Sequence, residues 1–373
     1  MQIPVNKFTL GNLEKELVME CLDSTWISSE GPSVLLFEQK IANLVDRDHG
    51  VAVTNGTAAL DLAIQTLNIG PGDEVIVPSF TIISCIHQIL RSGAVPVFVD
   101  SDSINWNMDI SLVEGKITPK TKAVMAVHIY GLPVDMDPLV SLCDKYSLFL
   151  IEDSAESIGQ TYKGSPCGSF GDLSTFSFYP NKHITTGEGG MLVTNNPDMF
   201  SRAKYYRNLC FDTERRFRHA DLGWNLRMTS LQAALGLAQA ELIDATMLQK
   251  RNIGLRYQQN LKSNTNLQMP LDATSYAKNC YWVFGVLVKK ASGRSPEELA
   301  VFLRDKGVGT RPFFYPLNIQ PVLQKFSIPL IADCPVSQNL AETGIYFPSG
   351  LATTNEEIDY VCDCINEFFG ERL

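Results

Sequence analysis

Residues 172–194 read DLSTFSFYPNKHITTGEGGMLVT, and the fold of the whole chain turns on this stretch. Leu173 to Phe178 alternates hydroxyl-bearing and apolar residues in a β-rich composition, the pattern of a strand. Met191 to Thr194 reads as a second strand. Between them Tyr179-Pro180-Asn181 turns the chain, and Gly187, Gly189 and Gly190 let the backbone pass close to another group. Lys182 therefore lies between two strands, an odd place for a solvated charge. A lysine becomes a nucleophile only when it loses its proton, which burial or cationic neighbours encourage. Most lysines are simply solvated, so the meaning of Lys182 depends on what the neighbouring strands bring to it.

Working outward, Leu148-Phe149-Leu150-Ile151 is a continuous apolar run, as a strand buried on both faces requires, and Glu152-Asp153 closes it. Alternation along a strand points these two carboxylates to opposite faces, so one can reach a site while the other packs or caps. Glu74–Pro78, Ala94–Val99 and Ala123–Val127 read as further strands, with helical stretches through Leu90 and over Leu139–Tyr146 between them. Val51–Leu67 reads as a short strand, a turn at Asn55-Gly56 and an amphipathic helix from Thr57. A strand feeding a glycine into a helix N-terminus suits a phosphate, through free N–H groups and the helix dipole. Many α/β turns look like this without a ligand, and neither GxxxxGK[ST] nor GxGxxG is present. Short apolar strands alternating with helices imply an α/β fold with a mostly parallel sheet. Ligands of such sheets sit beyond the C-terminal strand ends, where Lys182, Asp153 and the Gly56 turn can meet.

Helices are expected over residues 12–22 and from Pro32 or Ser33 to about Leu44. Thr229 to about Leu261 reads as one long helix connecting domains. Beyond it, Tyr281–Lys289 reads as strand, Ser295–Lys306 as a helix with a Ser295/Glu298 capping box, and Val308–Pro312 as a return to strand. Val336–Tyr346 and Glu356–Phe369 read as helices. The expected division is a large α/β domain over residues 1–245 and a smaller α+β domain over residues 246–373.

The chain has 373 residues, 45% of them hydrophobic and 19% charged, an ordinary globular balance. No run approaches the roughly 18 apolar residues of a membrane span, and the N-terminal stretch lacks the apolar core of a signal peptide. The nine cysteines form no CxxC pair, which suits reduced thiols in a cytoplasm and no metal site. A net charge of −10 argues against nucleic acid as a partner. Arg215, Arg216, Arg218 and His219 make the densest basic patch, suited to a diphosphate or simply to solvent.

A lysine, an acid at a strand end and a phosphate turn are the parts that pyridoxal phosphate requires. The chain resembles the DegT-type sugar aminotransferases, a pyridoxal-phosphate family of the aspartate aminotransferase fold (fold type I). The resemblance runs through DSTWISSEGP, TNGTAALDLAI, PGDEVIVPSFT, GAVPVFVD, IEDSAESIG, GDLSTFSFYPNKHITTGEGGMLVTN and GWNLRMTSLQAALGLAQ. It implies that Lys182 carries the cofactor and that Asp153 pairs with its pyridine nitrogen. It places Gly56, Thr57, Ala58 and Ser177 around the phosphate and Phe80 against the ring. Asn225 corresponds to a residue that reaches the neighbouring subunit's cofactor phosphate, which implies a homodimer with shared sites. Glu156 departs from the His or Gln of many members and is expected near sugar hydroxyls or the cofactor's phenolic oxygen. With the segment TRPFFYPLNIQP (residues 310–321), which brings Arg311 forward as a substrate contact, it resembles the perosamine synthases. Those members aminate a GDP-linked 4-keto-6-deoxymannose. His183 is a further substrate-side candidate, although Lys182 leaves it mainly a structural part.

The expected reaction is transamination, with glutamate as donor and a nucleotide-linked keto-sugar as acceptor, in lipopolysaccharide O-antigen or related glycan biosynthesis. Keto-sugars of dTDP-, UDP- or keto-octulosonate type are alternatives. A sugar dehydratase of the same fold carries histidine in place of the lysine, so Lys182 argues against it. A non-catalytic relative is disfavoured by the intact lysine, acid and turn.

Overall fold

The computed structural model describes residues 2–212, 214–329 and 333–370. Asn12–Asp23 form α1 and Pro32–Leu44 form α2. Strands and helices then alternate as β1 (His49–Val53), α3 (Gly56–Thr66), β2 (Glu74–Pro78), α4 (Ser84–Arg91) and β3 (Val95–Val99). Next come β4 (Thr121–Val127), α5 (Met136–Tyr146) and β5 (Phe149–Asp153), and a hairpin of β6 (Thr161–Tyr162) and β7 (Ser165–Pro166). The stretch around Lys182 supplies β8 (Leu173–Ser177) and β9 (Gly190–Thr194), followed by α6 (Pro197–Arg207), α7 (Ser230–Glu241) and α8 (Ile243–Leu261). The remainder comprises β10 (Leu267–Gln268), β11 (Phe284–Val288), α9 (Pro296–Asp305), β12 (Arg311–Pro312), α10 (Pro335–Thr343), β13 (Gly344–Phe347) and α11 (Asn355–Phe369).

Among the described residues the main sheet runs in the order β1-β9-β8-β5-β4-β2-β3. Neighbours pair in parallel except β9, which is antiparallel to both β1 and β8. The reason is local: β9 returns directly from β8 through the lysine turn, whereas the parallel neighbours are joined by crossovers. The registers Val127↔Asp153 and Asp153↔Thr175 bring the C-terminal ends of β4, β5 and β8 side by side. This is the α/β architecture expected, with helices covering an apolar sheet on both faces.

A second, antiparallel sheet has the order β10-β11-β13-β12. Its core gathers Ile253, Tyr257 and Leu261 of α8 with β11, β13, α9, α11 and also Ile3 from the N-terminal end. Ile243, at the start of α8, packs instead with Phe37 and Phe178 of the first domain. Helix α8 thus packs into both cores, and the N-terminal arm reaches back to the second.

Three readings are corrected. The stretch 229–261 is two helices, broken at Leu242, and α7 is a core element, not a connector. Its small residues let it lie directly on α2: a Cβ on Gly236 would fall 2.5 Å from the Phe37 ring. The helix expected to run to Tyr346 ends at Thr343, because Gly344 turns into β13 beneath Phe313, where a Cβ would meet the ring at 2.1 Å. The strand expected from Tyr281 starts at Phe284, since Tyr281 adopts a left-handed φ of 53°.

Candidate active site

The Asn55-Gly56 turn leads into a helix as the sequence suggests. Asn55 caps α3, its Oδ1 accepting from Ala58 N at 2.8 Å. Ala58 N is thereby satisfied, while the amides of Gly56 and Thr57 lie in the first turn, where no intrahelical acceptor exists. Thr57 Oγ1 lies 2.8 Å from Ser84 Oγ, which places a second hydroxyl from α4 beside the turn. A side chain at Gly56 is excluded by close approach: its Cβ would sit 2.7 Å from Ser177 Cβ. Gly190 has the same role from the other side, its Cβ falling 2.4 Å from Asn55 O.

At the end of β5 the two acids separate as strand alternation requires. Glu152 is fully buried and turned away from the cavity. Its Oε1 accepts from His128 Nε2 at 2.9 Å and Gly168 N at 2.5 Å, and its Oε2 accepts from Phe170 N, Gly171 N and Ser174 Oγ. His128 Nδ1 accepts from Val134 N, so Nε2 carries the proton given to Glu152. Burial opposes the carboxylate, yet these donors bring its pKa down to about 2. Asp153 faces a cavity of about 730 Å³. Its Oδ1 accepts from Ala155 N at 3.0 Å and its Oδ2 from Cys85 Sγ at 3.5 Å. Burial raises its pKa, partly offset by Ala155 N–H and Lys182.

Lys182 enters the same cavity from the turn after β8. Its side chain is 10% exposed, with Nζ 3.6 Å from the centroid of Trp282 and 3.8 Å from Glu156 Oε1. Burial lowers the lysine's pKa, while Glu156 and Asp153 pull the other way. Glu156 is itself pushed up to about 7 by burial, against the opposing effects of Lys182 and a hydrogen bond from Tyr130 N at 2.8 Å. A buried amine and carboxyl at this spacing are coupled, so the protonation of each depends on that of the other. Asn181 Oδ1 is buried without a hydrogen-bond partner among the described residues, and Asn181 lines the cavity.

Gly56, Thr57, Ala58, Asp153, Glu156, Ser177 and Lys182 therefore converge on one cavity. Phe80 lies outside its lining, fully buried and edge-on to Tyr130 at 5.9 Å. His183 points inward, with Nδ1 3.0 Å from Ile158 O and its pKa pushed down to about 3 by burial and the charge of Lys250. Asn225 is exposed, its Oδ1 accepting from Arg227 Nε at 2.8 Å, while the next residue, Leu226, lines the cavity. Arg215 and Arg218 are exposed on the loop before Gly223. Arg311 is exposed on β12, opposite Tyr346 in the register, and Tyr346 lines the cavity.

Sequence reasoning missed Trp282, Phe314, Tyr346, Ser84 and Asn181, which complete the wall. Trp282 stood inside a run read as strand, and only the left-handed Tyr281 before it turns the indole into the cavity.

A profile of the DegT/DnrJ/EryC1/StrS aminotransferase family matches residues 9–366. The chain is 43% identical over 371 residues to the GDP-perosamine synthase of Escherichia coli O157:H7, covering 99% of each. It is 37% identical over 354 residues to the GDP-perosamine synthase of Caulobacter vibrioides, covering 95% of each. Among solved structures, DesV of S. venezuelae, in complex with a ketimine intermediate, superposes with a TM-score of 0.91 at 30% identity, covering 100% of this chain and 99% of that one.

Proposed function

We propose a substrate from one premise: the chain belongs to the DegT/DnrJ/EryC1/StrS aminotransferase family and is a pyridoxal-phosphate-dependent aminotransferase. The reading is that it moves the amino group of glutamate onto a nucleotide-linked 4-keto-6-deoxy sugar, GDP-4-keto-6-deoxymannose first, for lipopolysaccharide O-antigen or a related glycan. The observation that carries it is 43% identity across 99% of the chain to a relative named GDP-perosamine synthase.

The residues present fit the cofactor. Only glycine at position 56 leaves room at the turn, where the Gly56 and Thr57 amides and the Thr57, Ser84 and Ser177 hydroxyls suit a phosphate. When bound, pyridoxal phosphate supplies a carbonyl that takes up and hands on an amino group, and a ring that accepts electron density. Asp153, buried and acidic, is the group suited to keep a proton on the ring nitrogen. Lys182, with its lowered pKa, is suited to hold the cofactor and to carry a proton to and from the substrate carbon. Glu156 offers a second proton-carrying oxygen within 3.8 Å of that amine. Trp282, Phe314 and Tyr346 give the cavity an aromatic wall.

A homodimer with shared sites belongs to the same reading. Asn225 is exposed next to a cavity-lining residue, and Ile82 of the cavity wall is 46% exposed, as surfaces awaiting a second copy are. Arg215, Arg218 and Arg311 are the cations proposed to meet the nucleotide's diphosphate, and His183 is left a packing role.

The experiment is a panel of GDP-, dTDP- and UDP-linked keto-sugars offered with glutamate, read as 2-oxoglutarate formed and aminated sugar nucleotide by mass. Turnover of the GDP-linked 4-keto-6-deoxymannose above the others is expected. Turnover confined to a UDP- or dTDP-linked sugar would reject the substrate and leave the aminotransferase in place.

A further inference from the structure

Helix α8 buries Ile243, Thr246, Ile253, Gly254, Tyr257 and Leu261 along one stripe, and Lys250 stands in the middle of it. An apolar side chain is the ordinary occupant of such a position. Lys250 is 3% exposed, and among the described residues no carboxylate pairs with it. Its ammonium instead donates to two backbone carbonyls, Trp282 O at 2.7 Å and Ser349 O at 2.5 Å. Burial without a counter-charge lowers its pKa to about 8. A buried, unpaired cation is a cost that an apolar residue would avoid.

A second cost lies at the same place. Tyr281, directly before Trp282, is a bulky residue held at a φ of 53°. Such backbone strain persists only where the surroundings over-determine it. Here Tyr281 N donates to Asn279 Oδ1 at 2.7 Å, its hydroxyl to Asp272 at 3.0 Å, and Gly254 of α8 lies so close that a Cβ would meet the ring at 2.2 Å. Tyr130, also left-handed at 55°, accepts from Trp282 N at 3.1 Å and gives its own N–H to Glu156. Every polar group of Trp282 is thus engaged by a different segment: N by Tyr130, O by Lys250, and Nε1 by Asn181 O at 2.8 Å. The product of these constraints is an indole face 3.6 Å from Lys182 Nζ.

We infer that Lys250 is a positioning residue: by holding the Trp282 carbonyl and the strained turn at Tyr281, it keeps the indole closed over Lys182. The inference rests on Lys182 as the reactive amine of the site. Around Lys182 stand Glu156, Asp153 and Cys85, and around Lys250 stand Cys280 and His183; none of the carboxylates reaches Lys250, so its influence on Lys182 passes through Trp282.

The test is a two-residue cycle on the cofactor-free protein. Wild type, Lys250→Met, Trp282→Phe and the double variant are treated with trace acetic anhydride across neutral and alkaline pH. Acylation of Lys182 is followed on its peptide by mass spectrometry, against an exposed lysine of the same protein as internal standard. Burial is the largest influence on Lys182, so a loosened indole admits water, favours the ammonium and moves the pH midpoint of Lys182 acylation upward by about one unit, about a tenfold loss of free amine at neutral pH whatever the reagent's access. On the Trp282→Phe background, Lys250→Met then adds less than about twofold. An unchanged Lys182 profile in Lys250→Met, or the same tenfold loss on top of Trp282→Phe, overturns the inference. If Lys250→Met does not fold, Lys250→Ala opens space for water to satisfy both carbonyls and is scored by the same two criteria. Because the reagent reads Lys182 itself, failure here is distinguishable from failure of the aminotransferase reading, which the keto-sugar panel tests.

Discussion

Replacing Glu152 by glutamine probes the carboxylate that holds the fold, back to back with the one that faces the cavity. Each of its oxygens accepts from at least two donors: Oε1 from His128 and Gly168, Oε2 from Phe170, Gly171 and Ser174. Burial favours the neutral form, but His128 and the amides reverse this and bring the pKa from an ordinary 4.5 to about 2. At about 1.36 kcal/mol per pH unit, that drop is worth about 3 kcal/mol of stability. The native pKa lies below the unfolded one. The contribution is therefore complete above a pH of about 4.5 and is lost as pH falls toward about 2. Glutamine keeps the size but turns one oxygen into an NH₂ donor, so either amide orientation strands at least two donors. At ~1–3 kcal/mol for each stranded buried donor the cost is ~2–6 kcal/mol, which brackets the first figure. Urea unfolding followed by circular dichroism at neutral pH should show Glu152→Gln less stable by about 3 kcal/mol, and wild type should approach the variant as pH falls. Turnover of the folded fraction should stay close to wild type, since Glu152 does not reach the cavity. A variant within about 0.5 kcal/mol of wild type, the range of surface substitutions, would refute the reasoning.

Borohydride reduction of the loaded enzyme should fix the pyridoxyl group on the peptide containing Lys182, and label on any other lysine would reject that assignment. Asp153→Asn should retain cofactor, seen by absorbance, while turnover falls on the order of a hundredfold, the low end for a positioned proton carrier; near wild-type turnover would make Asp153 structural. Glu156, charged above a pH of about 7, favours the ammonium of Lys182. Glu156→Gln should then shift the pH profile of cofactor uptake by the free protein downward by about one unit, and an unmoved profile would uncouple the two groups. For the dimer, differently tagged Lys182→Ala and Asn225→Ala chains can be co-expressed and the mixed dimer isolated. With shared sites one site collects both defects and the other none, so about half of wild-type activity returns, as the site count dictates; activity no better than the damaged parents would sink the shared site.

Much of the site was legible because its parts are local. The Asn55-Gly56 turn, the paired acids after an apolar run and the lysine between two strands are each fixed by a few neighbouring residues. Strand alternation alone separates Glu152 from Asp153, and the structure gives them the opposite directions expected. What escaped is what arrives from far along the chain. Trp282, Phe314 and Tyr346 come from the later part of the chain, and nothing near them in sequence marks them as walls of a cavity built mainly from much earlier residues.

The same distinction explains the two helical corrections. An alanine- and leucine-rich run promises helix, but whether it bridges or packs depends on the partner. Phe37 of α2, distant in sequence, fits against Gly236 and makes α7 part of the core. The strand at Gly344–Phe347 is likewise decided by the β11 edge waiting for it.

By itself, then, the order of residues determined the alternating sheet, the Asn55-Gly56 turn, the acid that points to the cavity and the lysine, because period and turn chemistry act over a few residues. Tertiary structure alone decided how buried Lys182 is, that Glu156 lies 3.8 Å from it and that Trp282 covers it, held through Lys250. Burial and pairing between segments distant in sequence are properties of the packed whole, and they are what shift a proton from one group to another.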